Sequence, residues 1–111
     1  MTQTRLCSLD DIEDGGSIAL IAEINGLRTS LIIVRQEKRA FVYVNVCPHT
    51  GAPLDFEPGQ FMNFDRSFIM CAMHGAIFRI EDGFCLQGPC VGKSLTPIPS
   101  EVREDHVWLA V

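Results

Sequence analysis

Apolar and polar residues alternate in parts of the chain with the period of two expected of extended strands. Thr4 to Leu9 is the first such stretch, and Leu9-Asp10-Asp11-Ile12 reads as a helical turn too short to stand alone. Gly15-Gly16 interrupts the chain before a β-branched segment, Ser17 to Ile24. Asn25-Gly26 joins it to Leu27 to Arg35, and this dipeptide between apolar runs is the strongest hairpin signal in the sequence. A charged turn, Gln36 to Arg39, leads to Ala40 to Val46, where Phe41, Tyr43 and Asn45 fall on one face and Val42, Val44 and Val46 on the other. Further short strands are expected at Ser67 to Met70 and Ala76 to Ile80, with a turn at Asp82-Gly83 through Phe84 and Cys85 and a loop over Gly88 to Gly92. Ser94 to Ile98 is expected to pair with His106 to Val111 around Pro99 to Asp105. Many short strands with regular turn signals predict an all-β fold, an antiparallel sandwich or barrel.

The 111 residues suit one domain with a modest core, and 47 % hydrophobic residues exclude a disordered chain. The apolar run Leu31 to Val34 is of strand length, and nothing approaches the roughly 18 apolar residues of a membrane-spanning helix. The first residues, Met1 to Arg5, have no basic-then-apolar signal pattern, so a cytoplasmic location is expected, with no membrane partner. A net charge of −5 argues against nucleic acid and suits docking to a basic surface on another protein.

The chemistry lies in two short loops. Cys47-Pro48-His49 and Cys71-Ala72-Met73-His74 each offer a thiolate and an imidazole, spaced so that a tight turn aims both at a common point. Gly51 and Gly75 permit the positive φ that such turns use. Backbone amides crowded there can face the negative charge of sulfide or thiolate. Two metal answers fit two Cys and two His: a tetrahedral zinc, or a Rieske cluster in which two His replace two Cys on one iron. Zinc fingers usually place their two His side by side, whereas here each His is interleaved with a Cys.

Cys47 to Leu54 (CPHTGAPL) followed by Cys71 to Phe78 (CAMHGAIF) resembles the paired ligand loops of the Rieske ferredoxin family, and Gly88-Pro89 resembles its third, proline-bearing loop. The resemblance runs across nearly the whole chain. It implies a β base with a smaller cluster-binding subdomain, here about residues 46–92 of a single domain, 1–111. It implies one [2Fe–2S] cluster, with Cys47 and Cys71 on the buried iron and His49 and His74 on the outer, electron-accepting iron. The family's carriers take electrons from a flavoprotein reductase and pass them to an oxygenase or similar acceptor, so an electron carrier, monomeric alone and not itself an enzyme, is the function implied. Two other classes remain open: an accessory subunit like the small subunit of nitrite reductases, and a structural zinc module. A complete oxygenase would need a second domain and a 2-His-1-carboxylate iron site, for which only His106 is left over.

The remaining residues receive structural readings. Cys7 is expected to fill core space, and Cys85 and Cys90 to be packed thiols flanking the proline loop. His106 is expected to be solvated, and Glu13-Asp14 and Glu101 to Asp105 to be turn charges. Phe56, Phe61, Phe64 and Phe68 are expected in the core, and Pro48, Leu54, Met73 and Pro89 around the cluster end, where an apolar patch could dock a partner. The interval Thr50 to Met70 is slightly longer than in most soluble Rieske ferredoxins, which places the extra length between the ligand loops. High-potential members of the family carry loop cysteines and sulfur-directed hydroxyls where this chain has Ala52, Met73, Ala76 and Phe78. Lacking those donors, the reduced cluster is less stabilised, and a spectroelectrochemical titration should give a potential near the lower end of the Rieske range, roughly −150 mV.

Overall fold

The structure is a computed structural model describing residues 4–48, 54, 61–62, 67–71, 75–88 and 91–110. Within them lie nine strands and one 3₁₀ turn. Strand β1 (Arg5–Ser8) runs into the 3₁₀ turn at Leu9–Asp11. Ser8 caps this turn: its side chain accepts from the Asp10 amide, while the Asp11 carboxylate accepts from the Ser8 amide, so local side chains satisfy its first donors. The Arg35 guanidinium closes the other end, donating to the carbonyls of Leu9 and Ile12 at 3.0 and 2.9 Å.

Strands β2 (Ser17–Ile24) and β3 (Leu27–Gln36) form the hairpin that Asn25-Gly26 predicts. Both turn residues have positive φ, 52° and 83°, the geometry whose twist matches a two-residue hairpin. β4 (Arg39–Val44) adds to β3 to complete a sheet ordered β2-β3-β4. A second sheet is ordered β1-β9-β8, from β8 (Ser100–Arg103) and β9 (His106–Leu109). A third, small sheet is ordered β5-β6-β7, from β5 (Ile69–Met70), β6 (Ile77–Phe78) and β7 (Cys85–Gln87). All pairings are antiparallel, as the alternation predicts.

One expected pairing is wrong. Ser100–Arg103, assigned to a turn from sequence, is strand β8, and it pairs with β9 through Glu104-Asp105, at φ 52° and 60°. That turn has the usual left-handed geometry but neither Asn nor Gly, so the sequence did not advertise it. Ser94 to Ile98 is extended, but it stitches the small sheet to the large one. The Cys85 amide donates to Lys93 O and the Leu95 amide to Gly83 O, then the Val44 amide donates to Thr96 O and the Ile98 amide to Val42 O. Pro97 lies opposite Tyr43. The donor and acceptor facing β4 come from residues 98 and 96, so the amide hydrogen that Pro97 lacks is not needed there.

The core has two parts, divided by β3. Leu31, Ile32, Ile33 and Val34 are all fully buried. Because side chains alternate, Ile32 and Val34 join one cluster with Tyr43, Leu54, Phe61, Ile69, Phe78, Ile80 and Leu95, while Leu31 and Ile33 join another with Cys7, Leu9, Ile12, Val42 and Val107. Cys7 fills core space as expected; its burial, with the Asp11 carboxylate nearby, pushes the thiol up to about 11. Tyr43 ties the large sheet to the turn before β7: its buried hydroxyl donates to the Ile80 carbonyl, and burial holds the phenol well above its usual range. The turn itself is tightened by Arg79, which donates to both oxygens of Asp82 and holds that carboxyl down at about 2. Among the described residues, no helix is long and apolar enough to cross a membrane.

Ile32→Ala should cost about 2–5 kcal/mol in urea unfolding, the range for emptying a buried aliphatic site. Ile21→Ala, on a side chain 57 % exposed, should stay within about 0.5 kcal/mol of the parent.

Candidate metal centre

Strand β4 delivers Cys47. The strand stops at Val44: the Asn45 amide donates to Ser30 O and the Val46 amide turns back to Val44 O, both at 2.9 Å. Asn45 keeps the inward face of the strand and is buried, while Val46 is turned outward, 44 % exposed. Cys47 is again buried, 1 % exposed, within the cluster that holds Ile32 and Phe78. The far end of this first loop is fixed by Leu54, fully buried in the same cluster. The Leu54 amide donates to Asn45 Oδ1 at 2.8 Å, and Asn45 Nδ2 donates to Ser30 Oγ at 3.3 Å. One side chain therefore links the start of the loop, its end and the large sheet.

The second loop closes by backbone alone. Cys71 follows β5, and its amide donates to Ala76 O at 2.9 Å, while the Gly75 amide donates to Cys71 O at 2.8 Å. Gly75 has φ 69°, the left-handed conformation expected of it. Cys71 is 1 % exposed and belongs to the same buried cluster as Cys47. Two thiols from separate loops thus enter one apolar core. Behind them the segment between the loops is pinned by the Met70 amide on Phe61 O and the Phe61 amide on Ser17 Oγ. Phe61 is fully buried, so the phenylalanine-rich segment contributes to the core as expected, with Phe68 half-buried.

The third loop meets the second at Gly88. A Cβ there would lie 2.7 Å from the Ala76 Cα, and the residue has φ 104°, so two independent constraints hold the position at glycine. Ala76 and Phe78, the positions without sulfur-directed hydroxyls, are both fully buried. Val46, Leu86 and Val91 are the exposed apolar side chains beside the ends of the first and third loops.

His49 and His74 lie outside the described residues, as do Cys90, Pro89, Met73, Phe56 and Phe64. Among the described residues no three metal-binding side chains come together, since half of the expected ligand set is not included. The described half fits a metal centre: two buried thiols, one from each loop, in one apolar cluster. Leu54, expected around the cluster end, is fully buried in the cluster that holds Cys47 and Cys71. His106 is also not simply solvated: it begins β9, is half-buried, and its Nδ1 accepts from Arg5 Nε at 2.9 Å. Cys85 is buried, with its Sγ directed at the Gln87 carbonyl 3.3 Å away. Asn45 was missed as a functional residue, although a polar side chain on the inward face of an alternating strand was a readable signal.

A family model for the Rieske [2Fe-2S] domain matches residues 2–103. The chain belongs to the Rieske [2Fe-2S] domain family. The cofactor of this domain is a [2Fe–2S] cluster. No curated protein sequence matches the chain. Among solved structures, the ferredoxin of carbazole 1,9a-dioxygenase from Nocardioides aromaticivorans IC177 is 23 % identical, with a TM-score of 0.77 over 99 % of this chain and 98 % of that one. A ferredoxin–oxygenase complex of carbazole 1,9a-dioxygenase provides a match of 23 % identity and TM-score 0.72, over 97 % of this chain and 92 % of that one. A structural-genomics protein described as a candidate small subunit of an NADPH nitrite reductase is 16 % identical, with a TM-score of 0.72 over the full length of both chains, 100 % of each. These likenesses establish the Rieske ferredoxin-like fold.

Gly88→Ala should lower both unfolding stability and cluster content of the purified Rieske protein, read by urea unfolding and iron analysis. Gly92→Ala shares the positive φ, 92°, but has nothing within 4 Å of the added Cβ, so its loss should be the smaller of the two.

Proposed function

We propose that this Rieske protein is a one-electron carrier, loaded by a flavoprotein reductase and unloaded by an oxygenase or a similar acceptor. Residues about 46–92 form the cluster-binding part, with Cys47, His49, Cys71 and His74 as ligands. The observation that carries the reading is the convergence of Cys47 and Cys71, each 1 % exposed, in one apolar core beneath two hydrogen-bonded loops. When bound, the cluster supplies reversible one-electron chemistry, and its imidazole ligands raise the potential above that of all-thiolate clusters.

The chain's own residues set the conditions for that chemistry. Leu54, Phe61, Ile69 and Phe78 exclude water from the thiol side. Ala76 and Phe78 offer no hydroxyl donor, which favours a low potential within the family. Val46, Leu86 and Val91 give an apolar surface beside the loops on which a partner can dock. The likeness to a dioxygenase ferredoxin over nearly the whole of both chains supports an oxygenase as acceptor. The likeness to a candidate nitrite reductase small subunit supports a second reading, an accessory subunit of a larger redox enzyme, and a protein of that kind would co-purify with a large partner.

The test is an absorption spectrum of anaerobically purified protein before and after dithionite, with EPR of the reduced sample and turnover with a flavoprotein reductase and a one-electron acceptor. A red-brown protein that bleaches, shows the low average g-value of a His-ligated cluster and turns over supports the carrier. A colourless protein holding one zinc after iron-replete expression and reconstitution refutes it.

A further inference from the structure

We infer that Asn45 is a positioning residue for the metal centre, the side chain on which closure of the first ligand loop depends. The inference rests on the Rieske reading above. Asn45 is the one buried polar residue among the described residues, 5 % exposed, on the face that otherwise presents Phe41 and Tyr43 to the core. The amide side chain has both an acceptor and donors, and both kinds are used. Oδ1 takes the Leu54 amide at 2.8 Å, and Nδ2 reaches Ser30 Oγ at 3.3 Å. Its own backbone amide is fixed on Ser30 O at 2.9 Å.

Among the described residues, different groups join the ends of the two loops. The second is closed by the paired backbone groups of Cys71, Gly75 and Ala76, which no substitution of a side chain removes. The first, from Val46 to Pro53, has its ends joined through the side chain of Asn45. The Leu54 amide at its far end belongs to a residue with no exposed surface, so water is poorly placed to take over from Oδ1. Cys47 is embedded in the core and is held independently of this link. Loss of Asn45 therefore releases the Leu54 amide, the described far end of the loop whose sequence carries His49, while Cys47 keeps its place in the core. Supporting groups of this kind typically change metal affinity 10–100-fold when removed.

The test compares Asn45→Ala with Ile33→Ala in the full chain. Ile33 is fully buried in the other core cluster, so its truncation destabilises the fold without touching the loop. Iron release to a chelator is timed, the EPR spectrum of the reduced protein is recorded, and unfolding stability is measured for each variant. The expected result is iron release about 10–100-fold faster in Asn45→Ala with an altered g-spread, against an unchanged spectrum and a much smaller acceleration in an equally destabilised Ile33→Ala. Asn45→Asp, which keeps the acceptor for Leu54, should restore most of the retention. If Asn45→Ala does not accumulate, Ser30→Ala, which removes the partner of Nδ2, should show an intermediate acceleration. Equal release in Asn45→Ala and Ile33→Ala, or a parental EPR spectrum in the Asn45 variant, overturns the inference. A parent protein that never takes up a cluster overturns the Rieske carrier reading instead, before any variant is compared, and removes the basis of this inference with it.

Discussion

Strand β3 has no solvent face over Leu31 to Val34, and the rest of the molecule is arranged to keep it that way. One side is covered by the capped turn at Leu9, by Val42 and by Val107; the other by the segments that carry the two thiols. A strand buried on both faces cannot shift by one residue without exchanging its two sets of contacts. The Asn25-Gly26 turn fixes the same register from the end of the hairpin. The part that carries the two thiols is thus not an appendage on a β base. It is one of the two layers that the central strand requires.

Hydrogen bonds add to the shared core in tying the two layers together. Tyr43 donates to the Ile80 carbonyl, and the extended segment through Ser94 and Ile98 pairs first with the small sheet and then with β4. Asn45 adds the third connection, from the large sheet to the end of the first loop. Each of these connections begins on β4 or the residues directly after it. The strand that delivers Cys47 therefore also fixes its surroundings.

Much of this was legible in the sequence. The Asn-Gly hairpin, the alternation of Phe41, Tyr43 and Asn45, the capped turn at Asp10-Asp11 and the two Cys-His loops each carry local chemistry that allows few other structures. The β8–β9 hairpin was not legible, because Glu104, which takes positive φ ahead of Asp105, is not a residue that favours it. The destination of Ser94 to Ile98 was also hidden. Its partners are distant in sequence, and Pro97 sits where no donor is required. There a contact between distant segments overruled a sound local reading.

The close approach of Gly88 to Ala76 also bears on the order of assembly. A backbone with no side chain between it and the second loop takes its position from that loop, since the surface it packs against is the loop itself. The ends of both ligand loops are joined by bonds that involve no metal. The chain entropy of bringing those ends together is therefore met during folding. A cluster donated from elsewhere would meet loops with their ends already gathered.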